Sequence, residues 1–414
     1  MIFMWEKGGL NDKIIQTLSE SLFERRENMT DFFPYDELTW QEAAELPRDT
    51  PLVIPLGSGY EIERIADQLS HPHKIGLLPA IPYGWRGSGL MAAEDTFSTM
   101  LANLIESVRD DGFTRVFVLM PQGLDLGLGT QALHLPTKHL TSSEMGENLP
   151  SDEQRRKVIL IPIGHTEQHA YHLPLNVDTL IIEAIANGAS TQSPATCATL
   201  PVMPYGVSMH RYAYAATTTV GGRAFEDFWL SIIDVLVGRG FDRFYFLSGH
   251  GGNMSFLVNI IKYAGERHLR IFCATAFLHT AGHLGAPVIE KHRQSKLGGM
   301  GHAGELETSF MLHLRPELCH MERVVDEIDF VATPNYYMDW IEGGTLVANP
   351  PWYDDTKSGS YGAGSLATAE KGRIWLETAI QEKIDHVAEI HKQQEMREAR
   401  RKDGFGMWQN IKLS

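Results

Sequence analysis

Three short segments of this chain occur twice, in the same order, and that doubling constrains the fold more than any other feature. Residues 51–57 read PLVIPLG and residues 157–164 read KVILIPIG. Residues 78–84 read LPAIPYG against LPVMPYG at 200–206, and GFTRVFVLMPQG at 112–123 is answered by GFDRFYFLSGHG at 240–251. Each match is short, but three in one order at similar spacing describe one supersecondary unit used twice. VILIPI and RFYFLS are apolar runs of the kind found in strands buried on both faces. Between them, residues 223–238 place Phe225, Phe228, Ile232, Val235 and Leu236 at helical spacing, and residues 179–186 read similarly. Strands alternating with helices predict an α/β fold with a mostly parallel sheet and helices on both faces. Ligands of such sheets gather at the carboxyl ends of the strands.

The expected organisation is a degenerate N-terminal α/β unit over 1–148 and a catalytic domain over 149–414 that ends in a long helix. Leu376, Ile380, Ile384, Val387 and Ile390 form the apolar stripe of that helix within residues 366–401, and the charge run EMREARRKDG reads as its solvated end. Residues 335–364, rich in Gly, Pro, Trp and Tyr without periodicity, predict a long loop covering a site or an interface.

Only the second unit carries a dense set of polar side chains. It has a long polar insertion after Gly164, and His250 where the first unit has Gln122. The first copy therefore reads as scaffold without chemistry, a packing partner or one wall of a site. In GHTEQHAYHLPLNVD, residues 164–178, Glu167 and His169 alternate and project to one side, and Asp178 returns after a Leu-Pro-Leu turn. Carboxylate, imidazole and carboxylate suit a divalent metal; the alternative is an exposed loop with incidental histidines. SGHGGN, residues 248–253, follows a strand directly, and no Lys-Ser/Thr follows its glycines, which excludes a phosphate loop. His250 there is either a ligand or a turn histidine. GHAGELETS, residues 301–309, gathers His302, Glu305 and Glu307 before a predicted helix. Read alone, its acids are helix-capping residues; read as a site, one glutamate is a ligand and His302 an acid/base.

Together these segments resemble the creatininase (creatinine amidohydrolase) family, which carries TEQHxxHLPLxxD, NGHGGN and HAGExETS in this order. PYG at 204–206 and ATAEKGR at 367–373 are similar as well, so the resemblance spans about residues 157–387. It implies a three-layer α/β sandwich, homo-oligomers, and two divalent ions, zinc and/or manganese, bridged by a carboxylate and a water. Carried across by position, Glu167, His169, Asp178, His250 and Glu307 become metal ligands, with Asp178 the bridge. His302 matches the proton donor, and Glu305, the alternative to Glu307 as ligand, stands beside it as a catalytic candidate. The implied reaction is attack by a metal-bridging hydroxide on a small cyclic amide or a related C–N bond. Ring-opening of an activated cyclic ketone such as a diketo-inositol (3-dehydro-scyllo-inosose type) is the alternative, and a non-catalytic metal-binding scaffold the third reading. The chain departs from the family at Ser248, at AATTTV over 215–220 and at the shifted His210-Arg211 pair, the last two in the segment that lines the substrate pocket of relatives.

A formal net charge of -16 repels phosphate backbones and anionic lipid, which leaves a small-molecule substrate as the expected partner and excludes nucleic acid and membrane. Three cysteines, Cys197, Cys273 and Cys319, share no CxxC spacing and fit a reducing compartment. Residues 1–20 lack the apolar stretch of a secretory signal, and the expected location is cytoplasmic.

Overall fold

Every strand expected from the doubled segments forms, and the two copies build two separate parallel sheets. The computed structural model describes residues 30–137, 149–208, 214–277 and 282–404. The first sheet contains β1 (Asp31–Pro34), β2 (Leu52–Pro55), β3 (Lys74–Leu77), β4 (Val116–Pro121) and β5 (Ala132–Leu135), in the order β1-β3-β2-β4-β5. The second contains β6 (Val158–Ile163), β7 (Cys197–Thr199), β8 (Arg243–Ser248) and β9 (Phe272–Phe277), in the order β7-β6-β8-β9. Every pairing is parallel.

The repeat holds bond by bond. In the first copy Leu78 N donates to Val53 O at 2.9 Å, Ile81 N to Pro55 O at 2.9 Å and Gly57 N to Ile81 O at 2.9 Å. The equivalent bonds of the second copy are Leu200 N to Leu160 O at 2.9 Å, Met203 N to Pro162 O at 3.1 Å and Gly164 N to Met203 O at 2.9 Å.

The helices are α1 (Trp40–Glu45), α2 (Glu63–Gln68), α3 (Glu94–Asp110), α4 (Val177–Gln192), α5 (Gly222–Gly238), α6 (Met254–Arg267), α7 (Gly285–His292), α8 (Glu305–Leu314) and α9 (Ala369–Lys402). Strand alternation sorts the side chains into layers. Ile54, Val118 and Met120 from the first sheet share one buried cluster with Ile159, Ile161, Phe244 and Phe246 from the second, filled by Phe97 and Leu101 of α3 and Phe228 and Ile232 of α5. Tyr83 of the first half meets Trp229 of α5 edge to face at 6.2 Å inside it. Truncating a buried aromatic of this kind costs about 3–5 kcal/mol, so the two halves hold each other's interior closed. On its other face the second sheet packs Val158, Leu160, Tyr245 and Leu247 against α4, α8 and α9. Helices thus lie on both faces of this sheet, which makes the three-layer α/β sandwich. The other face of the first sheet is covered by α2.

Helix α9 starts at Ala369, three residues after the expected start of the helical pattern at residue 366, because Gly364–Leu366 forms a 3-10 turn and Thr368 caps the helix by accepting from Lys371 N at 3.2 Å. Residues 335–364 are irregular apart from 3-10 turns. No helix among the described residues is long and apolar enough to cross a membrane.

Candidate metal centre

The carboxyl ends of β6 and β8 bring the polar segments together. After Ile163 the chain folds back on itself: Glu167 N donates to Leu175 O at 3.0 Å, and His169 and Leu173 form an isolated antiparallel bridge. Ala170, with φ +55°, makes the reversal, and the returning strand enters α4 with Asp178 in its first turn. Gly249, after β8, passes so close to that turn that a Cβ there would lie 2.1 Å from Asp178 O. Only glycine permits the approach, and it sets His250 beside Asp178. Ser248 fits the turn: its Oγ donates to His250 O at 2.7 Å and accepts from Asn253 Nδ2 at 3.3 Å. Helix α8 supplies Glu307 in its first turn, where Oε2 accepts from Ala303 N at 2.7 Å.

Three imidazoles are oriented by one device. His169 Nδ1 donates to Glu167 O at 3.0 Å, His250 Nε2 to Val207 O at 3.0 Å, and His302 Nε2 to Gln168 O at 2.7 Å. Each donation to a carbonyl turns the other ring nitrogen toward the carboxylates; on His169 and His250 that nitrogen holds a proton while no cation is bound and would give its lone pair to a bound cation. His169 Nε2 is 3.2 Å from Asp178 Oδ1 and 3.8 Å from Glu307 Oε2. His250 Nδ1 is 2.8 Å from Glu167 Oε2 and 3.3 Å from Asp178 Oδ2. His302 Nδ1 lies 4.0 Å from Glu307 Oε2.

Glu167, Asp178 and Glu307 are each at most 2% exposed. Among the described residues, the side chains ion-paired to them are these three histidines alone. Both Glu167 carboxylate oxygens and Asp178 Oδ2 are buried without a hydrogen-bond donor. Buried carboxylates in that condition cost several kcal/mol each, and a divalent cation is the partner that an oxygen and imidazole donor set fits. Two residue groups could hold metal, His165 with Glu167 and His250, and His169 with His302 and Glu307. Asp178 turns one oxygen to each.

The electrostatics follow from burial and from these pairings. Burial works against the Asp178 carboxylate, but His169 and His250 more than offset it and hold the group down at about 2. Burial pushes Glu307 up to about 7, with His169 pulling down and Asp178 adding to the rise. Burial, and then the neighbouring His169, lower His302 to about 3.

All five expected ligands and His302 therefore meet in one place. Glu305 does not. It is buried on the other side of α8, where Lys371 Nζ lies 2.6 Å from Oε1 and the Ser295 amide donates to Oε2 at 2.8 Å. Residues two apart on a helix point about 200° apart, so only one of Glu305 and Glu307 can face the cluster. That geometry corrects the expectation of a catalytic Glu305.

Several neighbours of the site went unnoticed in the sequence. Trp340 Nε1 donates to Glu307 Oε1 at 3.1 Å, and the Trp352 ring stands 5.0 Å from that of His302. Both come from the 335–364 loop, which does cover the site. Gln168 Nε2 ties the same loop down by donating to Gly359 O at 3.0 Å. The first half supplies a buttress. Asp111 Oδ2 accepts from Ala216 N at 2.7 Å, Ser107 Oγ from Thr219 N at 3.2 Å, and Asn103 Nδ2 donates to Val220 O at 2.8 Å. These bonds back the divergent 215–220 segment, whose Thr217 Oγ1 accepts from Gln168 N at 3.1 Å. The His210-Arg211 pair lies outside the described residues.

Fold and site define a class: parallel α/β proteins whose strand ends present residue groups able to hold divalent metal. Residues 138–387 match the family model for creatininase, creatinine amidohydrolase. The chain belongs to the creatininase family. It is 32% identical over 195 residues to the mycofactocin precursor peptide peptidase of Mycobacterium ulcerans, a match spanning 44% of this chain and 66% of that protein, just under two thirds. It is 29% identical to the 3-dehydro-scyllo-inosose hydrolase of Thermotoga maritima, over 54% of this chain and 74% of the relative. Identity to the creatinine amidohydrolase of Pseudomonas putida is 26%, over 56% and 89%. A crystal structure of creatinine amidohydrolase superposes with a TM-score of 0.51 at 25% identity, covering 61% of this chain and 95% of that one. A manganese form of creatininase superposes with a TM-score of 0.50 at 25% identity, over 61% and 96%.

Proposed function

We propose that this protein is a metal-dependent hydrolase that opens a small cyclic amide or cleaves a related C–N bond, using two divalent ions, zinc and/or manganese. The observation that carries this reading is Asp178, whose two oxygens face His169 on one side and His250 on the other. Glu167, Asp178 and His250 would hold one cation, and His169, Asp178 and Glu307 the other. Such a pair of cations would lower the pKa of an attacking water and polarise the scissile carbonyl.

The chain's own side chains do the rest. His302, kept neutral by burial, takes at Nδ1 the proton that the attacking water loses. It then delivers that proton to the departing nitrogen, while its Nε2–H stays on Gln168 O. Trp340 and Trp352 close the site against bulk water, which strengthens each electrostatic contact inside.

A second reading is ring-opening of an activated cyclic ketone, supported by the 29% identity to the inosose hydrolase and by the departure at 215–220. The two differ only in the leaving group. The deciding experiment measures metal per chain and turnover on a panel of cyclic amides, short peptides and cyclic diketones, for the protein and for His302→Ala. The expected outcome is close to two ions per chain, C–N cleavage, and a loss of about 10²–10⁴-fold in His302→Ala with its metal retained. Protein purified without chelator that holds no stoichiometric metal would overturn the hydrolase reading.

A further inference from the structure

Asp339 lies in the aperiodic loop that covers the site, yet its side chain is fully buried. A carboxylate in that position must be matched by donors, and five surround it. Oδ1 accepts from Ile341 N at 2.9 Å and Glu342 N at 3.3 Å, so the side chain closes a turn of its own loop. Oδ2 reaches outside the loop: it accepts from Gly298 N at 2.8 Å, from Met300 N at 3.5 Å and from Arg293 Nη2 at 3.3 Å. One oxygen therefore shapes the loop, and the other fastens it to residues 293–300.

The fastening point is itself fixed. The Arg293 guanidinium donates to Ser295 O at 3.0 Å and Lys296 O at 2.9 Å. Glu305, on the side of α8 away from the carboxylate cluster, accepts from Gln294 N at 2.9 Å and Ser295 N at 2.8 Å. Residues 293–300 run directly into the segment that carries His302 and Glu307, so a group docked on them keeps its place relative to the site.

What Asp339 brings there is the next residue. Trp340 Nε1 donates to Glu307 Oε1 at 3.1 Å, its ring stands edge-on to Phe277 at 5.6 Å, and a Cβ on Gly251 would lie 3.4 Å from that ring. The indole thus occupies one oxygen of Glu307, while Oε2 faces His169 at 3.8 Å and His302 at 4.0 Å. Residues 337–344 form no helix or strand, and Asp339 supplies the constraint that regular structure would otherwise give.

We propose that Asp339 is a positioning residue for the reaction: docked on residues 293–300, it holds the Trp340 indole N–H on Glu307 Oε1 and so fixes which Glu307 oxygen is left for a cation. The inference rests on the metal reading above, in which Glu307 is a ligand. Asp339→Asn separates the two roles of the side chain. Its carbonyl oxygen can still close the turn, whereas its amide sets N–H groups against Gly298 N–H and the Arg293 guanidinium, which are donors themselves.

The test uses the full chain with ¹⁵N-labelled tryptophan, the Trp340 indole signal being the one lost in Trp340→Phe. In metal-free protein that indole N–H is expected to exchange slowly with solvent, and at least about tenfold faster in Asp339→Asn. Zinc affinity, measured by competition with a chromophoric chelator, should fall about 10–100-fold at one of the two cations in Asp339→Asn. Trp340→Phe should reproduce that loss, and the double variant should lose no more than either, because the two residues act through one bond. A purely structural aspartate would lower Tm and leave indole exchange and zinc affinity as they were. That result, or losses that multiply in the double variant, overturns the proposal. Should Asp339→Asn fail to fold, Asp339→Ser keeps a turn acceptor and places no amide against Gly298 N, and the same readings decide. No zinc on the unaltered protein would overturn the metal reading, whereas indole exchange unchanged by either Asp339 substitution would overturn this inference alone.

Discussion

After Gly57 the first copy of the repeat runs through Ser58, Gly59 and Tyr60 toward the short helix α2, whereas after Gly164 the second copy folds residues 165–176 back over the sheet before α4 begins. At the end of β4 the chain reads Pro121-Gln122, with Pro121 the last strand residue; at the equivalent place, just past β8, it reads Gly249-His250. Proline is tolerated at the first of these positions, while at the second even a Cβ would meet Asp178 O at 2.1 Å. The strand hydrogen bonds of the two copies are otherwise interchangeable. The difference teaches that the scaffold is set by backbone bonding and apolar alternation, and that the chemistry resides in what the strand ends are free to carry. The site also needs its neighbour: α3 of the first half and Asp111 at its C-terminal end hydrogen-bond to the segment at 216–220, and Trp40 of α1 donates to Ser358 O at 3.0 Å in the covering loop.

The sharpest way to break this comparison is to mutate equivalent strand ends. Asp178→Ala should remove bound metal and lower turnover by at least about 10³-fold, since the cations supply several kcal/mol of transition-state stabilisation. The exposed Gln122, mutated to Ala, should leave both unchanged, as metal analysis and an activity assay on the two variants would show. A metal loss in Gln122→Ala would mean the first copy is not inert.

The two glutamates of α8 should separate next. Glu305→Ala strands the buried Lys371 ammonium and should cost about 3–5 kcal/mol, read as a fall in Tm with metal stoichiometry intact. Glu307→Gln should do the opposite and lose metal while melting near the parent temperature.

Acid should loosen the covering loop before it loosens the first sheet. The Glu327 carboxylate accepts from Lys357 N at 2.8 Å and Ser358 N at 3.0 Å, and from the hydroxyls of Thr356 and Ser358. Burial opposes the charge, but these donors prevail and hold its pKa below the ordinary glutamate value. The stabilisation is therefore complete above about pH 4.3 and is lost as pH falls through the lower folded value. Amide exchange at residues 356–360 should accelerate there ahead of the β2 and β4 amides.

The smallest effect concerns the left-handed alanines beside the site, Ala170 at φ +55° and Ala303 at φ +52°. Ala303→Gly relieves a conformation costing about 1 kcal/mol, partly offset by the greater freedom of an unfolded glycine. A shift of no more than about 1 kcal/mol in denaturant unfolding is expected.

Much of this was legible in the sequence because strand alternation and ligand density are local. The runs that became β2, β4, β6 and β8, the helix over 223–238 and the three polar segments all announce themselves within a dozen residues. What was not legible depended on distant partners. His165 Nδ1 accepts from the amide of Gly206, the lid contacts come from tryptophans in an aperiodic loop, and β1 and β5 are four-residue strands recruited by their neighbours. Glu305 and Glu307 fall between these cases, since helical geometry separates them once α8 is granted. The shared interior between the sheets was hidden too, because the doubled segments say that two units exist and nothing about which faces they turn to each other.

That shared interior has a consequence for how the protein is made. The face of the first sheet bearing Ile54, Val118 and Met120 is covered by α3 and by α5 and its neighbours from the second half. Ribosomes add about 5–20 residues per second, so after β5 has emerged this face waits on the order of ten seconds for residues 222–246. During that interval its solubility depends on sequence not yet translated, which makes the nascent first half a natural client for a chaperone.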